Sequence, residues 1–154
     1  MSESLREKIN DELKAAMKAR DKRRMATLRL ITAAFKDRDI QARGTGRDDA
    51  PGEADLQAIL AKMVKQRRES ADLYEKGGRD DLAAAEREEI AIIEEFLPRQ
   101  LSPEEVEKAV ADVIAETGAS GLKDMGRVMG ALKERYSGQM DMGKASRLVK
   151  EKLA

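Results

Sequence analysis

The side chains available for chemistry are carboxylates, hydroxyls, amides and basic groups, because the sequence contains neither histidine nor cysteine. This composition excludes thiolate nucleophiles, disulfides, histidine general bases and zinc sites built from cysteine and histidine. The densest set of potential ligands is acidic: Glu86, Glu88, Glu89, Glu94 and Glu95. Carboxylates can bind a divalent cation, but at this density along a helix they are more typical of a solvated face. We therefore assign no catalytic residue and no metal ligand, and we expect no cofactor.

Basic residues near the C-terminus form the main candidate binding set. From Arg127 to Ala154 there are seven Lys or Arg against three Asp or Glu, in a chain with no net charge. Cations of this kind release counterions from a nucleic acid and bind structured RNA with strong salt dependence and little sequence preference. The candidate residues are Gly126, Arg127, Lys133, Arg135, Lys144, Arg147 and Lys150. An ordinary solvated surface is the alternative.

Aromatic residues are scarce in the same segment, where Tyr136 is the single example. Proteins that read single-stranded bases stack them on several aromatic side chains. The composition therefore favours contacts to the RNA backbone over base readout.

Gly126 and Gly130 stand four residues apart within an expected helix. Glycine inside a helix costs about 1 kcal/mol relative to alanine, so this pair indicates that another backbone comes close. That backbone could be a neighbouring helix of the same protein or the sugar–phosphate chain of an RNA. Both interpretations stay open, whereas Val128, Met129 and Leu132 are expected in the core.

A second candidate set lies nearer the N-terminus and consists of Arg29, Arg67, Ser70, Arg79, Glu86 and Glu89. Arg67 and Ser70 are three residues apart, as are Glu86 and Glu89, so each pair shares one face of its helix. Two antiparallel helices would bring the two pairs together. Ion pairs that hold such a hairpin are the favoured interpretation, and a ligand pocket is the alternative.

A basic cluster at the start of the expected second helix comprises Lys22, Arg23, Arg24 and Arg29. The N-terminal end of a helix is already electropositive, so cations there are mildly unfavourable without a partner. The partner could be the acidic segment after Asp80 or an external anion, and internal charge pairing is favoured.

Helical periodicity dominates the chain and predicts an all-α fold. Ser4-Leu5-Arg6-Glu7 is a possible capping box for the first helix, and Asp21 can cap the second. A polar stretch from Gly44 to Gly52 is expected to be a loop. Gly77-Gly78 ends the third helix, because glycine enters the left-handed conformation cheaply. A fourth helix is expected from Asp80 or Asp81 to Leu97.

Pro98 marks the clearest boundary, since a proline disfavours helical geometry in the residue before it. Ser102-Pro103-Glu104-Glu105 is a strong helix start, with an N-cap serine, a proline at the first helical position and a glutamate at the third. This fifth helix ends at Gly118, and two more are expected from Leu122 to Tyr136 and from Asp141 to Leu153. We expect an N-terminal helical bundle or hairpin domain over residues 1–98 and a small three-helix lobe over residues 99–154.

The sequence gives no sign of membrane association. No apolar run approaches the roughly 20 residues that span a bilayer, and Met1 to Asn10 is charged, unlike the apolar stretch of a signal peptide. The cytoplasm is the expected compartment.

Several short motifs occur in a defined order along nearly the whole chain: Thr27-Leu28-Arg29, Lys65 to Ser70, Gly77-Gly78-Arg79, Asp81-Leu82-Ala83, Phe96-Leu97-Pro98, Asp124 to Met129, and Leu148-Val149-Lys150. Their joint order resembles the YqeY family. That family is similar to the C-terminal helical and tail region of GatB, the synthetase-like subunit of the tRNA-dependent amidotransferase. In that complex the tail holds the tRNA while a separate region amidates the misacylated end. The resemblance implies a helical domain, a small tail lobe and a tRNA partner.

Three functions follow as hypotheses. The first is a tRNA-binding or RNA-binding accessory protein without its own catalytic centre. The second is a protein-interaction module, which would dock a partner or another copy. The third, implied by the resemblance alone, is a carbon–nitrogen ligase that uses glutamine as the amido donor. The chain shows no Walker-type phosphate loop and no Ser-Ser-Lys amidase arrangement, so the resemblance does not by itself transfer that activity.

Overall fold

The computed structural model describes residues 4–44 and 51–154, and within these ranges it contains seven α-helices, a short 3₁₀ turn and no β-strand. The expectation of an all-α fold is confirmed. Most of the loop expected between Gly44 and Gly52 lies outside the described residues. The chain separates into two compact units, Met1–Leu97 and Pro98–Ala154. The division into an N-terminal helical domain over residues 1–98 and a C-terminal lobe over residues 99–154 stays a prediction.

The first unit begins with two helices joined by a tight corner. Ser4 caps α1 by accepting a hydrogen bond from the backbone N–H of Glu7 at 3.2 Å. Arg20 ends α1 in the left-handed conformation, with φ 57°. Asp21 then accepts a hydrogen bond from the backbone N–H of Arg24 at 3.1 Å, as expected of a cap for α2. The helices of this unit are α1 (Leu5–Ala19), α2 (Lys22–Gly44), α3 (Glu53–Lys76) and α4 (Asp80–Glu94).

Helices α3 and α4 form the expected hairpin and pack against each other. Gly78 occupies the left-handed region at φ 75°, and the backbone N–H of Arg79 donates to the carbonyl of Tyr74 at 2.8 Å. Helix α4 ends at Glu94, three residues earlier than expected. The N–H groups of the next three residues donate to carbonyls three positions back, so this segment forms turns rather than an α-helix.

One apolar core joins all four helices of the first unit. Its fully buried members include Ile9 of α1, Ile31 of α2, Leu60 of α3 and Ile93 of α4. Burying a side chain of this size stabilises the fold by about 1.5–3 kcal/mol. Thr27 of α2 is also buried, and its hydroxyl has no hydrogen-bond partner within the described structure.

The second unit consists of α5 (Pro103–Thr117), the 3₁₀ turn (Leu122–Asp124), α6 (Met125–Tyr136) and α7 (Met142–Leu153). The capping box of α5 is confirmed in both directions: the Ser102 hydroxyl accepts from the Glu105 N–H at 3.2 Å, and the Glu105 carboxylate accepts from the Ser102 N–H at 3.0 Å. Helix α6 starts later than expected, because Leu122–Asp124 adopts the tighter 3₁₀ geometry.

The core of the second unit is built from β-branched and leucine side chains. Val110 and Val113 of α5 meet Val128 and Leu132 of α6 and Val149 of α7. The core positions expected for Val128 and Leu132 are thus confirmed, and Met129 is partly buried. Across the two described ranges, every helix is too short or too polar to span a bilayer.

Candidate functional site

Helix α7 carries three of the candidate cations at three-residue spacing, Lys144, Arg147 and Lys150. All three are exposed, because the opposite side of the helix packs into the core of the second unit. None of the three has an ion-pair partner within residues 4–44 and 51–154. The buried side of α7 consists of Ala145, Val149 and Leu153.

Two arginines of α6 are exposed but paired. Arg127 lies 3.1 Å from Asp124, measured from Nη2 to Oδ1, and Arg135 contacts Glu116 of α5. The two arginine side chains are 56% and 47% exposed. The pair of Arg135 with Glu116 is exposed on both sides, and pairs of this kind contribute about 0.2–1 kcal/mol, so a phosphate can replace Glu116 at little cost. The Asp124 side chain is only 18% exposed, so a phosphate would bind Arg127 in addition to that carboxylate. Lys133 of the same helix is exposed and also has an interaction partner within the protein.

The carboxylate of Asp124 is held mainly by the backbone. The backbone N–H of Ser120 donates to its Oδ2 at 3.0 Å. This hydrogen bond is the main reason that the pKa of Asp124 is lowered, and the nearby charges of Arg127 and Lys123 lower it further. Asp124 therefore stays ionised and fixed near Arg127.

Gly126 and Gly130 lie on the exposed side of α6. A Cβ atom built at either position would meet no heavy atom within 4 Å. Close packing of these glycines against another helix, one of the two interpretations of their spacing, is therefore wrong for the part of the chain that the structure describes. What remains is a stretch of helix whose backbone is open to an external partner.

All seven RNA-binding candidates lie on the surface of the second unit, four on α6 and three on α7. The two helices pack against each other. Tyr136, by contrast, packs partly into the core. The surface thus carries exposed cations and two glycines without neighbouring side chains, while Tyr136 packs against the core.

In the first unit, Arg67 of α3 and Glu89 of α4 form a direct ion pair. Arg67 Nε donates to Glu89 Oε2 at 2.8 Å, and its Nη1 donates to the carbonyl of Met63 at 3.2 Å. The Arg67 side chain is 17% exposed. This pair ties the hairpin together, as the favoured interpretation of the second candidate set expected.

The remaining members of the second candidate set do not contact the Arg67–Glu89 ion pair through hydrogen bonds or ion pairs in the described ranges. Arg79 pairs locally with Asp81 at 3.4 Å, and both side chains are exposed. Glu86 and Ser70 are half-buried, and Arg29 is exposed on α2. Among the residues described, none of these last three has an ion pair or a hydrogen bond from its side chain.

The basic cluster of α2 divides into paired and unpaired residues. Arg24 donates to Glu95 at 2.6 Å and to Glu12 at 2.8 Å, and Arg23 contacts Glu88. The hydrogen bond to Glu95 is the largest cause of the raised pKa of Arg24. Internal charge pairing is therefore confirmed for these two arginines.

The acidic group of α4 and its final turn is largely neutralised by arginines. Besides the pairs of Glu88, Glu89 and Glu95, Glu94 lies 3.4 Å from Arg68. Across the described ranges, no cluster of three or more carboxylates is arranged to hold a metal ion.

Two bidentate ion pairs of the structure could not be predicted from the sequence. Arg6 forms a bidentate pair with Asp39, at 2.8 and 3.1 Å. Arg99 forms another with Glu105, at 2.9 and 2.8 Å. The Arg99 guanidinium, followed by the backbone N–H of Ser102, lowers the pKa of Glu105 to about 2. For Glu105 the sequence did contain a signal, since its carboxylate was already identified as part of the capping box.

Comparison of the sequence with known proteins identifies a family. The model of the Yqey-like protein family matches residues 6–153. The chain is 32% identical, over 123 residues, to the altered inheritance of mitochondria protein 41, mitochondrial, of Vanderwaltozyma polyspora, which covers 76% of this chain and 64% of the relative. With the protein of the same name from Eremothecium gossypii the identity is 36% over 89 residues, covering 58% of this chain and 46% of the relative.

The chain thus spans about half to two thirds of the length of these curated relatives. The family match is longer, since it runs through both units and includes all seven described helices apart from the first and last few residues of the chain. On that extent of agreement, the chain belongs to the YqeY-like family.

Proposed function

We propose that this protein binds tRNA, or another structured RNA, through the outer surface of α6 and α7, and that it has no catalytic centre of its own. The observation that carries the proposal is the row of Lys144, Arg147 and Lys150, which are exposed and have no ion-pair partner in the described part of the chain. Neighbouring cations without ion-pair partners repel each other. The phosphate groups of an RNA relieve that repulsion, and their binding releases the counterions of the RNA.

The neighbouring helix supports the same function. The guanidinium groups of Arg127 and Arg135 are about half exposed, so phosphates can reach them, and the pair of Arg135 with Glu116 is exposed on both sides. Gly126 and Gly130 have open space in place of a side chain, which lets a sugar–phosphate backbone approach the helix closely. Because Tyr136 packs partly into the core, the RNA is recognised by its sugar–phosphate backbone and its shape rather than by bases stacked on aromatic side chains.

The family resemblance narrows the RNA to tRNA, because the similar region of GatB holds the tRNA in its complex. The name of the fungal relatives refers to mitochondria, and for this chain residence in the cytoplasm stays a prediction. Carbon–nitrogen ligase activity, which the same resemblance suggests, is an outcome to be tested rather than part of the proposal.

A binding titration of the full chain with total tRNA, at roughly 50 mM and 200 mM salt, tests the proposal. At least three phosphate contacts are expected, so the affinity falls by about 20-fold or more between the two salt concentrations. The variant Lys144→Glu/Arg147→Glu/Lys150→Glu is expected to bind at least about tenfold more weakly and with a shallower salt dependence.

A control with the same charge change comes from the first unit. Lys14→Glu/Lys18→Glu/Lys62→Glu alters three exposed lysines that have no ion-pair partner in the described ranges, and its affinity for tRNA should stay within about twofold of the parent. No binding at low salt would overturn the proposal, as would equal losses in the two variants. ATP- and glutamine-dependent amidation by the purified chain would instead establish the ligase.

A further inference from the structure

The outward side of α2 carries two parallel rows of residues, and each row has a seven-residue spacing. One row is cationic and the other is apolar. All members are exposed, and the opposite side of the helix is buried in the core of the first unit. We call this the outer face of α2. Its rows are Lys22, Arg29 and Lys36, and Ala26, Ala33 and Ile40, and the exposed Leu30 also belongs to it.

The cations of α2 fall into two groups with different surroundings. Arg23 and Arg24 are paired with carboxylates of the same unit. Lys22, Arg29 and Lys36 have no ion-pair partner among residues 4–44 and 51–154. Lys22 is also the first residue of its helix, where the helix dipole disfavours a cation. The outer row is therefore positively charged and has no ion-pair partner in the described ranges, although the exposed Asp37 follows Lys36 in the sequence and contributes one negative charge to this side of the helix.

Exposed aliphatic side chains accompany this charge. Leu30, which follows Ala26 by one helical turn, is 45% exposed, and Ile40 is 53% exposed. An RNA backbone gives aliphatic side chains nothing to pack against, whereas an amphipathic protein helix buries them. Ala26 and Ala33 leave room for such a helix to approach along the same line.

The spacing matches one helix lying along another. Residues that repeat every seven positions stay on one side of a helix when it packs lengthwise against a partner, and charges beside the apolar seam select that partner. At about 1.5 Å per residue, the rows extend for roughly 27 Å between Lys22 and Ile40. This length accommodates about five turns of a partner helix.

We propose that the outer face of α2 docks an α-helix of another protein, one that carries carboxylates at seven-residue spacing beside an aliphatic stripe. The carboxylates neutralise Lys22, Arg29 and Lys36, and the stripe covers Ile40 and Leu30. An interface of one helix against one helix is small, which is typical of transient complexes.

A second copy of this chain is a poorer occupant. Two α2 faces packed on each other would oppose cations with cations, which is repulsive. An acidic row at the same spacing exists in the first unit, Asp81, Glu88 and Glu95, but its members are engaged by Arg79, Arg23 and Arg24. A different protein with unpaired carboxylates therefore supplies the charge complement of the outer face without breaking these ion pairs.

Fluorescence anisotropy of the full chain with a designed peptide tests the proposal. The peptide is a labelled amphipathic helix of three heptads, with a leucine stripe flanked by glutamate at every seventh position. A matched peptide replaces those glutamates with lysines. The protein should bind the glutamate peptide at least about tenfold more tightly than the lysine peptide.

Variants of the outer face make the result specific. Lys22→Glu/Arg29→Glu/Lys36→Glu should reverse the preference between the peptides, and the neutral glutamine triple variant should lose the preference while keeping the same fold. Leu30→Ser/Ile40→Ser should weaken binding of the glutamate peptide about tenfold. The matched control, Lys62→Glu/Lys108→Glu/Lys123→Glu, changes three other exposed lysines without ion-pair partners in the described ranges and should leave the preference unchanged.

Four results would overturn the proposal. Equal binding of the two peptides is the first and equal effects of the outer-face and control variants the second, and either would indicate bulk charge alone. Another is self-association of the parent chain in sedimentation that the outer-face variant abolishes, which would make a second copy the occupant. The last is a loss of tRNA affinity in the outer-face variant as large as in the α7 variant, which would make the face an RNA contact.

Discussion

The guanidinium of Arg24 lies 2.6 Å from the carboxylate of Glu95, although the two residues are 71 positions apart in the sequence. The same guanidinium reaches Glu12 of α1 at 2.8 Å, so one side chain links α2 to both α1 and the turn after α4. The Arg24 side chain is 21% exposed, and its hydrogen bonds are therefore better protected from water than those of a typical surface pair.

The variant Arg24→Met is expected to lower the free energy of unfolding by about 1–2 kcal/mol, because it removes charge-assisted hydrogen bonds from a largely buried guanidinium, while the half-exposed carboxylates of Glu12 and Glu95 regain water. Urea denaturation followed by far-UV circular dichroism measures the change. The matched control is Arg23→Met, whose pair with Glu88 is more than half exposed on both sides and should cost less than about 1 kcal/mol. Equal effects of the two substitutions would contradict the bridging role of Arg24.

Replacing Thr27 with valine is expected to stabilise the protein. The Thr27 hydroxyl is buried without a hydrogen-bond partner in the described structure, and valine has nearly the same shape without the polar group. Removing an unsatisfied hydroxyl should raise the free energy of unfolding by about 1 kcal/mol. The control is Thr117→Val, which removes a hydroxyl that donates to the Val113 carbonyl at 2.8 Å and should cost about 0.5–1.5 kcal/mol. A loss of stability for Thr27→Val would indicate a partner for the hydroxyl, such as a buried water.

Acid is expected to weaken the start of α5 through Glu105. The pKa of this carboxyl is lowered from 4.5 to about 2 in the folded protein, first by Arg99 and then by the Ser102 N–H. A carboxylate with a depressed folded pKa contributes stability above its unfolded pKa and loses that contribution as the pH falls towards the folded value. The stability advantage of the parent over Glu105→Gln should therefore be full near pH 6 and shrink between about pH 5 and pH 2. Urea titrations at pH 6 and pH 3 measure it, and an advantage that is the same at both would contradict the assignment.

The double variant Gly126→Ala/Gly130→Ala is expected to raise stability and to lower tRNA affinity, so it distinguishes effects on folding from effects on RNA binding. Because a Cβ at either site meets open space, each substitution should raise helix stability by about 0.5–1 kcal/mol. If an RNA backbone approaches this side of α6, the same double variant should bind tRNA more weakly, since two methyl groups now block the approach. Gly78→Ala is the control for stability, because φ 75° at that position strains any residue with a Cβ, and it should destabilise the fold. Unchanged tRNA affinity in the double variant would remove the glycines from the proposed surface.

Features with a local cause could be predicted from the sequence. The capping box of Ser102 and Glu105 needs only residues three positions apart, and its two hydrogen bonds form as expected. The Gly77-Gly78 turn likewise follows from glycine's freedom at positive φ. The end of α4 could not be predicted in this way, because residues 95–97 continue a helical pattern and yet form turns.

Contacts between distant segments were harder to predict than caps. The charge balance indicated that Arg23 and Arg24 would meet the acidic segment, but nothing in the sequence selected Glu95 and Glu12 as the partners of Arg24. Arg6 and Asp39 are 33 residues apart and gave no signal. The outer face of α2 was hidden for another reason: Leu30 and Ile40 resemble core residues in sequence, and their exposure is visible only once the buried side of the helix is known.

The bridge from Arg24 also affects how the first unit opens. Residues at the end of a helix usually exchange their amide protons quickly, because a terminal turn frays at little cost. Here Glu95 anchors the turn after α4 to Arg24 of α2, which in turn binds Glu12 of α1. The ammonium group of Lys8 in α1 also lies over the buried ring of Phe96, 5.7 Å from the ring centre. The amides of Phe96 and Leu97 should therefore exchange together with the α1–α2 pair as one cooperative segment, rather than as a fraying end.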